Sequence, residues 1–169
     1  MHKRLAIQLA FVALLAAQQA KQQAWASLKF LVGEWAGVGD GQAGQGAGKC
    51  SFEADLDGRV LVRKSYAEYP AAAGRAAFRH DDLMIVYPEA AALRAEYFDN
   101  EGHVIHYSVR VAGDSAEFLS DAAPGAPRYR LTYRKAGPDA LGLKFEIAPP
   151  GKPDSFETYL DAKLRRDSR

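Results

Sequence analysis

The chain has 169 residues, 48% apolar and 25% charged, the size and composition of one soluble domain with a sizeable core. Its formal charge is +1, with no dense Lys/Arg run before the last few residues, so it lacks the basic excess of a nucleic-acid binder. A lone cysteine, Cys50, excludes an intrachain disulfide and leaves stability to the core.

The N-terminus reads MHKRLAIQLAFVALLAA. A basic start is followed by an apolar run from Leu5 to Ala17 that is too short to span a bilayer comfortably. That pattern predicts a secretory signal over residues 1–26, with Ala24-Trp25-Ala26 as an A-x-A cleavage site. The mature domain is then 27–169, periplasmic or secreted, with no stable membrane span after signal removal. Its loss of Lys3, Arg4 and Lys21 leaves the domain slightly acidic. A helical period covers roughly residues 20–32.

From Gly33 onward strands alternate with turns. Gly33–Gly41 alternates around Trp35, and Lys49–Leu56 alternates apolar Cys50, Phe52, Ala54 and Leu56 with polar residues. Asp57-Gly58 is a strong hairpin signal, since both residues tolerate positive φ. Arg59–Tyr69 follows and stops at Pro70. Asp82–Tyr87 is apolar on both faces. Leu93–Phe98 runs into the turn Asp99–Gly102, and His103–Ala112 ends at Gly113-Asp114. Ser115–Ser120, Arg128–Lys135, Leu141–Ala148 and Ser155–Arg165 complete the series, separated by Pro/Gly-rich breaks.

About ten strands at this spacing predict an all-β fold, an antiparallel up-and-down barrel preceded by a short N-terminal helix. Closure removes the exposed edges of such a meander. Alternation, weighed strand by strand, puts Trp35, Val60, Val62, Tyr66, Leu83, Ile85, Tyr87, Tyr97, Tyr107, Tyr129, Tyr133, Phe156 and Leu160 on the inner face. An interior so rich in tyrosine needs hydrogen-bond partners for its hydroxyls, from side chains, water or a ligand.

The opening LKFLVGEWAGVGDG (Leu28–Gly41) resembles lipocalin-like (calycin) barrels, in which a Gly-x-Trp motif, here Gly33-Glu34-Trp35, starts the first strand. It is most similar to nitrobindin-like barrels and related exported bacterial barrels. The resemblance implies a ten-stranded barrel with a pocket and the short N-terminal helix plugging one end, and in nitrobindin-like proteins a haem held by a histidine near the C-terminus. Tyr159 stands at that position here. Tyrosine ligates ferric haem in some proteins. Alternation, however, places Tyr159 on the face opposite Phe156 and Leu160.

Arg79-His80-Asp81-Asp82 reads as a polar turn at a barrel rim, just before a buried strand. His80, Asp81 and Asp82 are the rim candidates for proton transfer or a metal, but one such triplet falls short of a convergent metal set. His103 and His106, three apart on a strand, face opposite ways. Cys50 sits among core residues and reads as an inert thiol. Gly39, Gly41 and Gly44 match a dinucleotide fingerprint, but a strand rather than a helix follows, so the stretch reads as a mobile loop, a gate at the barrel mouth. No catalytic constellation emerges. The expectation is an exported barrel that binds a small apolar or aromatic molecule through Trp35, Tyr66, Tyr87, Tyr97, Tyr107, Tyr129 and Tyr133, with no metal. Alternatives are haem binding, a barrel enzyme using the rim cluster, and a ligand-free envelope protein.

Overall fold

A computed structural model describes residues 25–38, 47–71, 74, 76–90 and 92–167. The expected signal up to residue 24 and the Gly-rich stretch 39–46 lie outside the described residues. A short helix over residues 25–31, ending in a 3-10 turn at Leu28–Leu31, leads into ten strands. They are β1 (Gly33–Val38), β2 (Ala47–Asp55), β3 (Val60–Tyr69), β4 (Phe78–Glu89) and β5 (Ala92–Asp99), then β6 (Val104–Ala112), β7 (Ser115–Ser120), β8 (Arg128–Gly137), β9 (Ala140–Ala148) and β10 (Glu157–Arg166). Every strand pairs antiparallel with its sequence neighbours, and β1 pairs with β10 to close the barrel. This is the all-β barrel expected from the strand spacing.

The floor is built around Trp35, which is 1% exposed. Leu28 and Leu31 of the helix pack into the same core, and the indole Nε1 donates to the Leu31 carbonyl at 2.7 Å. From the last strand, the Arg166 guanidinium lies 4.3 Å from the Trp35 ring centre, a cation–π contact, and donates to the Val32 carbonyl at 3.1 Å. Gly33 makes room for it. Its φ is +128°, and a Cβ there would sit 2.2 Å from Arg166 Nη1. The positive φ requires the glycine of the Gly-x-Trp opening, and a side chain there would also displace the guanidinium.

Above the floor the lumen is filled by edge-on rings. Phe52, Tyr133, Phe118, Tyr107 and Tyr97 follow one another with centroids 5.2–6.4 Å apart and near-perpendicular planes. Phe52, Phe118 and Tyr133 are 0% exposed, as are Met84 and Val86. A side chain that no water-sized probe touches borders no water-sized void, so the lower lumen is solid.

The structure reverses two faces. Paired residues share a face, and Cys50 and Phe52, which point inward, pair with Ser65 and Arg63. The inner face of β3 is therefore Leu61, Arg63 and Ser65, while Val60, Val62 and Tyr66 face out. Arg63 in turn pairs with Met84, so β4 turns Asp82, Met84 and Val86 inward and Leu83, Ile85 and Tyr87 outward. Period-two alternation makes each such reversal complete for its strand. In β10 the register shifts between Thr158 and Leu160, leaving Tyr159 as the extra residue of a bulge. Phe156, expected inside, lies outside under the Arg130 guanidinium at 4.2 Å.

Outside, Arg130 Nε donates to Glu146 at 2.7 Å and Lys144 Nζ lies 2.8 Å away. The Arg130 hydrogen bond, with help from Lys144, pulls the Glu146 carboxyl down to about 2. A depressed folded-state pKa stabilises the fold above the ordinary glutamate value, and that stabilisation disappears as pH falls through about 2. Glu146→Gln should therefore cost about 1–2 kcal/mol at neutral pH, discounted for the partial exposure of Arg130, and the deficit should shrink at the lowest pH. Urea unfolding of both proteins across that range measures it. Gly33→Ala should cost about 2 kcal/mol, lowering Tm by about 4–8 °C in a calorimetric scan.

Candidate functional site

The end of the barrel away from the helix is ringed by the β3–β4, β5–β6, β7–β8 and β9–β10 connections. Here the inward-facing side chains are only partly buried: His80, Tyr97, Ile105, Tyr129 and Phe145 all retain some exposure. Inward-facing Val109, Val111 and Leu143, lower down, are also partly exposed, while Phe52, Phe118 and Tyr133 stay fully sealed.

Beneath this mouth lies a buried ion pair. Arg63 Nη1 donates to Asp82 Oδ1, with the side chains 7% and 6% exposed. Burial pushes the Asp82 carboxyl above its usual range, offset in part by Arg63 and His80. Burial also opposes the Arg63 charge, but the Asp82 carboxylate beside it outweighs that and Arg63 stays cationic. The guanidinium lies 5.9 Å from the Tyr133 ring centre. Arg63 Nε and the Tyr133 hydroxyl have no hydrogen-bond partner among the described residues. Burial raises the phenol pKa of Tyr133, Tyr107 and Tyr97, so these rings remain neutral. The Cys50 thiol is buried and raised too, which agrees with an inert core thiol.

At the rim, His80 stands on β4 with its Nε2 3.0 Å from the Tyr97 hydroxyl and its Nδ1 2.6 Å from Glu101 Oε1. Tyr97 donates to Asp99 Oδ2 at 3.3 Å. Asp99 also receives the backbone N–H groups of Glu101 and His103 and lies 2.8 Å from His103 Nδ1. Burial works to raise the Asp99 carboxyl, but the His103 and Glu101 hydrogen bonds outweigh it and hold it low. Asp99 is therefore a fixed carboxylate at the mouth.

The residues singled out from sequence divide between the two sides of the wall. Trp35 belongs to the floor. Tyr97, Tyr107, Tyr129 and Tyr133 face inward, Tyr107 and Tyr133 deep and Tyr97 and Tyr129 near the mouth. Tyr66 faces outward with the Arg79 guanidinium 4.1 Å from its ring centre, and Tyr87 faces outward with its hydroxyl donating to Glu96. The rim triplet is not a turn, because β4 starts at Phe78 and carries it along a strand. His80 and Asp82 point inward; Asp81 points outward to Arg79 at 2.9 Å. His106 also faces outward, paired with Glu96. Sequence reasoning missed Arg63, Asp99 and Glu101. The hairpin register held the signal for Arg63: a turn centred on Asp57-Gly58 pairs position 55 with 60, which puts 63 opposite inward-facing Phe52. A concavity of about 630 Å³ lies on the outer face, where Ser51, Lys64, Tyr66, Leu83 and Phe98 project away from the core.

The fold thus defines a closed, ten-stranded, antiparallel barrel with a polar, carboxylate-rich mouth. No protein-family model matches the chain, and no curated protein matches it in sequence.

Removing one member of the buried pair strands the other charge. Asp82→Ala should cost about 3–5 kcal/mol, whereas Arg63→Met combined with Asp82→Leu should recover most of that loss. Chemical denaturation of the single and double variants measures both.

Proposed function

We propose that this protein is an exported carrier of a small apolar or aromatic molecule, held in the upper lumen. The observation that carries the reading is the partial exposure of inward-facing Tyr97, Ile105, Tyr129 and Phe145 above a floor sealed by Trp35, Phe52, Phe118 and Tyr133. Stacked Tyr129 and Phe145, 5.9 Å apart and nearly parallel, offer a flat apolar wall. The occupant is small, because the packed ring series limits its depth. Its polar end meets His80, Tyr97 and Asp99. Export is supported by the basic start and short apolar run of residues 1–17.

The nitrobindin-like likeness is supported by the Gly33-x-Trp35 opening and the strand number. Its haem is not supported by the residues. Tyr159, at the ligand position, is 72% exposed on its bulge, and only the edge of its ring meets Phe145. The rings that would have to part for a porphyrin are packed against one another.

Titration with 1-anilinonaphthalene-8-sulfonate, a fluorescent aromatic probe, tests the site. Saturable one-to-one binding should weaken about tenfold, or ~1.4 kcal/mol, in Tyr129→Ala and remain unchanged in Tyr66→Ala. The opposite pattern would move binding to the outer concavity and overturn the lumen reading.

A further inference from the structure

We propose that His80, Asp99 and Glu101 form a binding site for a divalent transition-metal ion of the zinc class at the rim of the barrel. The proposal stands independently of the small-molecule reading.

The geometry comes from two pieces of chain. His80 lies on β4, Asp99 ends β5, and Glu101 belongs to the turn that follows. One donor atom from each lies within 4.8 Å of the other two. A nitrogen with two carboxylate oxygens suits a borderline ion such as zinc. Ideal bonds of about 2.0–2.2 Å place tetrahedral donors about 3.3–3.6 Å apart, so the 2.6 Å His80–Glu101 contact must open to admit the ion. Glu101, 44% exposed in its side chain, is the arm free to do so. Three protein donors leave the fourth place of a tetrahedral ion to water.

Charge points the same way. Arg63 is matched by Asp82, and Arg79 by Asp81 and Glu68. Among the described residues, Asp99 and Glu101 have only histidines as partners. Asp99 and Glu101 thus bring two carboxylates together at the rim, the charge that one divalent ion cancels.

With Tyr97 donating to Asp99, the hydrogen bonds offer a cation one defined atom. The Tyr97 hydroxyl has one proton and two neighbouring acceptors, His80 Nε2 and Asp99 Oδ2. If Tyr97 donates to Asp99, His80 must donate from Nε2 to the tyrosine oxygen. The Nδ1 lone pair then faces Glu101 Oε1 at 2.6 Å, which is acceptor against acceptor. A cation between them removes that conflict. A metal on Nδ1 leaves each proton in the chain with one acceptor, and Tyr97 becomes the positioning group that holds the imidazole, as outer partners of metal-bound histidines do.

The test uses the purified full chain after chelator treatment, titrated calorimetrically with zinc and spectroscopically with cobalt(II). One zinc per chain and the visible absorption of four-coordinate cobalt are expected. Glu101→Gln, on an exposed turn and harmless to folding, should weaken zinc binding at least tenfold. His80→Gln should abolish the cobalt spectrum. Tyr97→Phe should keep the spectrum but bind about tenfold more weakly. His106→Gln, on the outer wall, should bind as the parent does. Absence of saturable zinc uptake up to about 1 mM, a Kd too weak for a built site, overturns the proposal. So does parental affinity in Glu101→Gln.

Discussion

Arg63 and Asp82 meet inside a closed barrel, and the character of its mouth follows from that contact. An arginine in an apolar lumen is tolerable only beside a carboxylate, and each charge loses its reason to be buried without the other. The pair spans neighbouring strands β3 and β4, so it also pins their relative register. Below it the lumen is all ring and aliphatic chain. Above it come Ser65, His80, Tyr97 and Asp99. The pair is the boundary between a structural half and a chemical half.

The two halves differ in how their residues are held. The lower rings are fixed by mutual packing, in which every ring is the wall of the next. The upper groups are fixed by hydrogen bonds that cross from strand to strand and into the β5–β6 turn. Asp99 alone collects contacts from Tyr97, Glu101 and His103. A group held in this way offers a fixed charge to a visitor at the mouth, while the packed floor gives the wall its rigidity.

Much of this was legible in the sequence. Turn chemistry at Asp57-Gly58, Gly102, Gly113 and Gly125 marks strand ends, and strand number and neighbour pairing follow from short connections. Trp35 was recognisable from its Gly-x-Trp setting. The faces of β3 and β4 were not recovered by apolarity, for a physical reason. Residues 60–62 and 83–87 are apolar on both sides of the wall, so hydrophobicity does not distinguish inside from outside there. What distinguishes them is pairing with β2, whose alternation is clean. The rim cluster was hidden further still. His80 finds Asp99 and Glu101 only through the register of β4 on β5, and the adjacent carboxylate Asp81, nearest in sequence, points the wrong way.

The pairing of Trp35 with Arg166 has a consequence in time. The first strand's only neighbour apart from β2 is the last strand, and the residue that covers the Trp35 ring lies at the end of that strand. A chain emerging from the ribosome or crossing a membrane N-terminus first cannot seal its tube until its final strand has arrived. Until then β1 has one unpaired edge and an indole without its cation. Contacts this distant in sequence slow folding, because a long loop must close before they contribute. The sealed barrel is therefore a state reached only once β10 is in place, and loss of residues 163–166 would leave β1 with an unpaired, sticky edge.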